Sequence, residues 1–94
     1  MTFLELKNKF EKEVNQSFEL LEMHYAPYAF GSGMIAYRIN GIMIKIIYDG
    51  KDNQVQFFRS KEAQKYSTSL SWIILYTGLP DDLFLNQTLL NIKK

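Results

Sequence analysis

A single histidine, His24, and the absence of cysteine limit the acid–base and nucleophilic chemistry open to this chain. A cysteine nucleophile and a thiolate zinc site are excluded outright. His24 could serve as a general base, but spacing brings neither Glu22 nor Ser32 to it as a partner. Its expected place is the end of a helix, where an imidazolium favours the local dipole. No stretch gathers enough His and carboxylate for a metal, so neither metal nor cofactor is expected. Asp49-Gly-Lys-Asp-Asn53 has neither the alternating ligands nor the distant Glu of a calcium loop, and reads as a hairpin turn. Gly31-Ser-Gly33 is too short to cradle a phosphate. Asp81-Asp82 reads as the acidic start of a helix. No acid, base and nucleophile come together, so no catalytic residue is assigned and the chain is not read as an enzyme.

Binding is the better prospect. His24, Tyr25, Tyr28 and Phe30 lie close together beside Pro27 and two glycines, and tyrosine offers an apolar body with a polar tip. With Trp72 they form a candidate small-ligand site. A second candidate is one face of a sheet carrying Met34, Ala36, Arg38, Met43, Lys45, Ile47 and Phe58. Left uncovered, an apolar patch of that kind marks a contact surface for a partner protein or a second copy. Folding the Leu83–Ile92 segment back over it is the alternative.

The elements that must position these residues follow from periodicity. Thr2 and Glu5 match a capping box, and Phe3, Leu6, Phe10, Val14, Phe18, Leu21 and Tyr25 recur at helical steps. They predict one long helix ending near His24–Tyr25, ahead of Pro27. Met34–Ile39 and Ile42–Tyr48 flank Asn40-Gly41, which selects a type I′ hairpin turn. That turn sets Ile39 against Ile42, Tyr37 against Ile44 and Ile35 against Ile46 on one face. The other face pairs Arg38 with Met43, Ala36 with Lys45 and Met34 with Ile47. Gln54–Phe58 alternates as a third strand. From Ser60 the spacing of Ala63, Tyr66, Leu70, Ile73, Ile74 and Thr77 predicts a second helix, stopped by Gly78 and Pro80. The hydroxyl-rich Ser67–Ser71 run weakens that helix, and a strand through Leu70–Tyr76 is the alternative. Pro80-Asp81-Asp82 opens a short terminal helix.

The expected fold is therefore a single α+β domain over residues 1–94. A three-stranded antiparallel meander carries a long N-terminal helix and a C-terminal helix on its Ile-rich face, in αβββα order, followed by the short terminal helix. Its expected core is Leu6, Phe10, Val14, Phe18, Leu21, Ile35, Tyr37, Ile39, Ile44, Ile46, Val55, Phe57, Leu70 and Ile73.

Composition bounds the partners. The chain has 94 residues, 47% hydrophobic and 22% charged, with a net charge of +1. This composition belongs to a folded globule, not a disordered tail, and supplies no field to draw nucleic acid or anionic lipid. The charged N-terminal stretch and the lack of a long apolar run point to the cytoplasm and away from a membrane. Helix, three strands, helix is also the order of the double-stranded RNA-binding domain. Ser60-Lys61-Glu62-Ala63-Gln64-Lys65 resembles the lysine-rich start of that family's second helix, where basic residues grip phosphates. Glu62 interrupts the run here and leaves Lys61 and Lys65, whereas phosphate binding rests on many cations. The expected function is thus a non-catalytic protein-interaction module, with a homodimer and an immunity- or antitoxin-like role among its forms. Small-ligand binding through the aromatic loop is the alternative, and RNA binding comes last.

Overall fold

The computed structural model describes residues 2–14, 17–60, 72–81 and 85–86. One helix, α1 (Phe3–Glu13), is followed by five strands: β1 (Phe18–Ala26), β2 (Ser32–Ile39), β3 (Ile42–Asp49), β4 (Gln54–Ser60) and β5 (Ile73–Gly78). The strands form one open antiparallel sheet in the order β1-β2-β3-β4-β5.

Helix α1 starts as its sequence requires. The Thr2 hydroxyl accepts from the Glu5 N–H at 3.2 Å, and the Glu5 carboxylate accepts from the Thr2 N–H at 2.9 Å. These bonds hold the Glu5 carboxyl below the usual carboxylate range. The helix ends far earlier than periodicity suggests. Val14 is extended, and its N–H closes the last turn on the Phe10 carbonyl. Phe18, Leu21, His24 and Tyr25 are therefore not helical but belong to β1.

Strand β1 escapes a period-two reading because it carries a bulge. Phe18 and Leu20 pair with Ile39 and Tyr37, Leu21 is the extra residue, and Met23 and Tyr25 then pair with Ile35 and Gly33. The same-face residues are spaced 2, 3 and 2 apart, which blurs into a helical step.

The second correction lies at the far edge of the sheet. Residues Ile73–Gly78 form β5 where a C-terminal helix was expected. Strand β5 pairs antiparallel with β4, and a register shift opposite Phe57/Phe58 again breaks simple alternation. The β-branched and aromatic residues Ile73, Ile74, Tyr76 and Thr77 suit a pleated surface better than a helix. Ser60 is the last residue of β4. The helix–three strands–helix order shared with the double-stranded RNA-binding domain is therefore not the order that forms. Leu85 and Asn86 are helical, and the Leu85 N–H bonds the Asp81 carbonyl at 3.2 Å. Lys61, Glu62, Lys65, Leu70, Asp82 and the rest of the expected terminal helix lie outside the described residues.

The central hairpin forms in the expected register. Asn40 and Gly41 both take positive φ, as a type I′ turn demands, and all six pairs read from the sequence are present. On the helix-bearing face, Phe3, Leu6, Phe10 and Val14 pack onto Ile35, Tyr37, Ile39, Ile44, Ile46, Tyr48, Val55 and Phe57. Leu85 joins this cluster. Phe18 and Ile73, both expected inside, are exposed because each sits on an edge strand.

One polar brace fixes the helix over the sheet. The buried Tyr37 donates its hydroxyl to Glu11 Oε2 at 2.6 Å, and Lys7 Nζ lies 3.0 Å from the same oxygen. Burial, reinforced by Glu11, raises the Tyr37 phenol above its ordinary range, so it stays protonated. Ile44 sits fully inside the apolar cluster. Ile44→Ala is expected to lower unfolding free energy by about 2–5 kcal/mol in a denaturant melt.

Candidate functional site

The chain between β1 and β2 makes two successive tight turns. Ala29 N–H bonds the Ala26 carbonyl and Ser32 N–H bonds the Ala29 carbonyl, each at 3.0 Å. Pro27 presets the first turn. The second has Phe30 and Gly31 both at positive φ, +59° and +74°, the geometry of a type I′ turn. Gly31 adopts this freely, whereas Phe30 does so under strain.

The turn between β3 and β4 holds that loop in place. Asp49 Oδ1 accepts from the N–H groups of Lys51 and Asp52, which folds the expected Asp49–Asn53 turn. Gly50 then donates its N–H to Ser32 Oγ at 3.0 Å. A Cβ on Gly50 would lie 1.8 Å from the Phe30 carbonyl oxygen, so the two loops touch backbone to backbone. Seated this way, the loop presents Tyr28 at 91% and Phe30 at 70% exposure. Lys51 Nζ stands 6.0 Å above the Phe30 ring.

Beside this loop lies an open cleft of about 360 Å³, lined by His24, Tyr25, Tyr28, Met34, Ile47 and Tyr48, with Ala26, Ser32 and Gly33. His24, Met34 and Ile47 share the face away from α1 there, whereas the Tyr25 and Tyr48 rings turn to the other face and stack on Phe3. His24 Nε2 is 2.7 Å from Glu22 Oε2, a pair that β-strand alternation brings together and a helical reading hides. The Tyr25 ring stacks on Phe3 at 5.6 Å. The Tyr48 hydroxyl donates to Asn53 Oδ1 at 3.2 Å, and burial, with Asp49 and Glu5 nearby, raises its phenol above the usual range.

Three of the five expected ligand residues, His24, Tyr25 and Tyr28, thus meet at one cleft. Phe30 stands outside its lining, and Trp72 lies elsewhere. Trp72 and Phe58 instead bracket Lys45, whose Nζ is 4.5 Å and 4.8 Å from the two ring centres. Burial lowers the Lys45 ammonium below its ordinary value, and Glu22 opposes that shift. Sequence alone does not mark Tyr48, because Tyr48-Asp49 reads as the approach to a turn.

The seven expected interface residues all lie on the face away from α1. Ala36 and Met43 are already fully buried in the single chain. Arg38 bonds Glu19 across β1 and β2 at 3.0 Å. Met34 and Ile47 line the cleft, so five of the seven retain some accessible surface. Among the described residues no three metal-ligating side chains come together, and no helix is long and apolar enough to cross a membrane.

Comparison with protein-family models, with curated proteins and with solved structures returned no match. The reading therefore rests on the geometry of these residues.

Proposed function

We propose that this chain is a non-catalytic protein-binding module that grips its partner with the aromatic loop between β1 and β2. One observation carries the reading. Phe30 holds a strained left-handed backbone at φ +59° while its ring stays mostly in solvent. Strain of this kind survives where it serves something other than the fold. Aromatic side chains on a braced loop suit the centre of an interface, because they lose little entropy when a partner covers them.

Phe30→Gly separates the two roles. It removes the left-handed penalty and should raise stability by about 1 kcal/mol. It should also abolish co-purification of the partner retained by the wild-type chain in its own cell, as should Tyr28→Ser. A Phe30→Gly chain that keeps the same partner at wild-type yield overturns this reading.

The cleft favours a second reading, in which a small apolar or aromatic ligand sits on Met34 and Ile47 with its polar edge toward His24 and Tyr28. A thermal-shift screen checks it, with Ile47→Trp as the variant that fills the cleft and cancels any shift.

A further inference from the structure

Strand β1 is an edge of the sheet, and among the described residues no strand pairs with its outer side. Its main-chain groups point in known directions. The two-residue turn closes on the Ile39–Ile42 pair, so Ile39, Tyr37 and Ile35 turn N–H and C=O toward β3. Their partners on β1, Phe18, Leu20 and Met23, therefore turn N–H and C=O outward. Tyr25, opposite Gly33, does the same. These four residues also share the helix-bearing face, and α1 leaves them exposed by 36–47%. An apolar stripe and a row of free hydrogen-bonding groups thus coincide on one strand, the pattern that recruits another strand.

We propose that the strand recruited is β1 of a second copy, joined antiparallel about a two-fold axis that passes between Leu21 and Glu22. The bulge selects this register. It sets Phe18 against Tyr25 and Leu20 against Met23 of the other copy, all on the helix-bearing face. On the opposite face it sets Glu19 against His24, a carboxylate against an imidazole that can donate to it, with side chains 60% and 67% exposed. Offsetting the strands by two residues, which moves the axis one residue toward the N-terminus, sets Glu19 against Glu22, and the same offset the other way sets Glu22 against Met23 from the opposite face. A one-residue offset mismatches faces along the strand. The proposed register joins apolar to apolar and acid to imidazole at the pairs flanking the axis, leaves the bulge residues Leu21 and Glu22 opposite each other at its centre, and is self-complementary, as a two-fold interface must be. Both copies of α1 then flank one continuous apolar stripe. This interface does not use the tip of the aromatic loop, so it can fail while the proposed partner binding stands.

Light scattering at about 100 µM should give twice the mass of the single chain. The double variant Leu20→Lys/Met23→Lys sets lysine against lysine and should return the mass of one chain, with an unchanged circular-dichroism spectrum. Leu20→Glu/Met23→Lys sets opposite charges at the same pair and should restore the dimer. The cysteine-free background offers an independent check. Mixing Glu19→Cys chains with His24→Cys chains should give a disulfide-linked heterodimer, and neither variant alone should crosslink. A single-chain mass for the wild type at millimolar concentration overturns the proposal. So does a dimer that the lysine pair leaves intact, since that dimer would use another surface.

Discussion

Gly50→Ala should unseat the aromatic loop. The Phe30 carbonyl oxygen lies where the new methyl must go, and backbone cannot step aside as a flexible side chain can. The position has no positive φ, so the penalty arises from close approach rather than from conformation. Overpacking of this kind costs about 1–3 kcal/mol. Loss of the Gly50–Ser32 hydrogen bond adds about 1 kcal/mol. The denaturation midpoint should fall accordingly, and amide exchange should speed up across residues 28–32. Partner binding should weaken even where most of the protein remains folded, because Tyr28 and Phe30 lose their fixed presentation. Wild-type exchange rates in the loop would show that the two turns do not touch.

Gly33→Ala is expected to be as damaging for a different reason. Gly33 lies between Tyr25 on β1 and Tyr48 on β3 in the register of the sheet. The Phe3 ring fills the space that a side chain at Gly33 would take, and it stacks on Tyr25 and Tyr48. A Cβ at Gly33 would lie 2.8 Å from three atoms of that ring. Phe3 is almost fully buried, so it can yield only by leaving the core. Phe3→Ala alone should cost about 3–5 kcal/mol. Gly33→Ala should cost about 2–3 kcal/mol in the wild type, near the upper range of overpacking. In the Phe3→Ala background it should cost close to nothing. Strong coupling in this double-mutant cycle is the expected result, and simple additivity would place the ring elsewhere.

The features that sequence reveals are those in which local chemistry and packing agree. Asn40-Gly41 sets both the turn and the face of six residue pairs, and nothing distant contradicts it. The capping box at Thr2 and Glu5 is equally local. Periodicity does not separate helix from strand where a bulge inserts one residue into an alternating strand, at Leu21 and opposite Phe57/Phe58. There the apolar spacing mimics a helical repeat, and only the partner strand decides. The site shares this history. Tyr25, Tyr28 and Phe30 were legible as an aromatic cluster. Gly50 and Tyr48, which brace and line it, enter through contacts between separate hairpins that no local pattern encodes. The Glu22–His24 pair depends on a strand where a helix was expected, because residues two apart share a face only in a strand.

The meander also orders events in time. Every strand lies beside its neighbour in sequence, and the turns from β1 to β4 are short. Closing a short loop sacrifices little chain entropy, so the Asn40-Gly41 hairpin is the natural nucleus on which β4 and β1 condense. Strand β5 follows β4 only after the 12 residues between Ser60 and Ile73. Closing that longer span is expected to make β5 the last strand to join and the first to open, so amide exchange should rise along β5 while the β2–β3 hairpin stays protected.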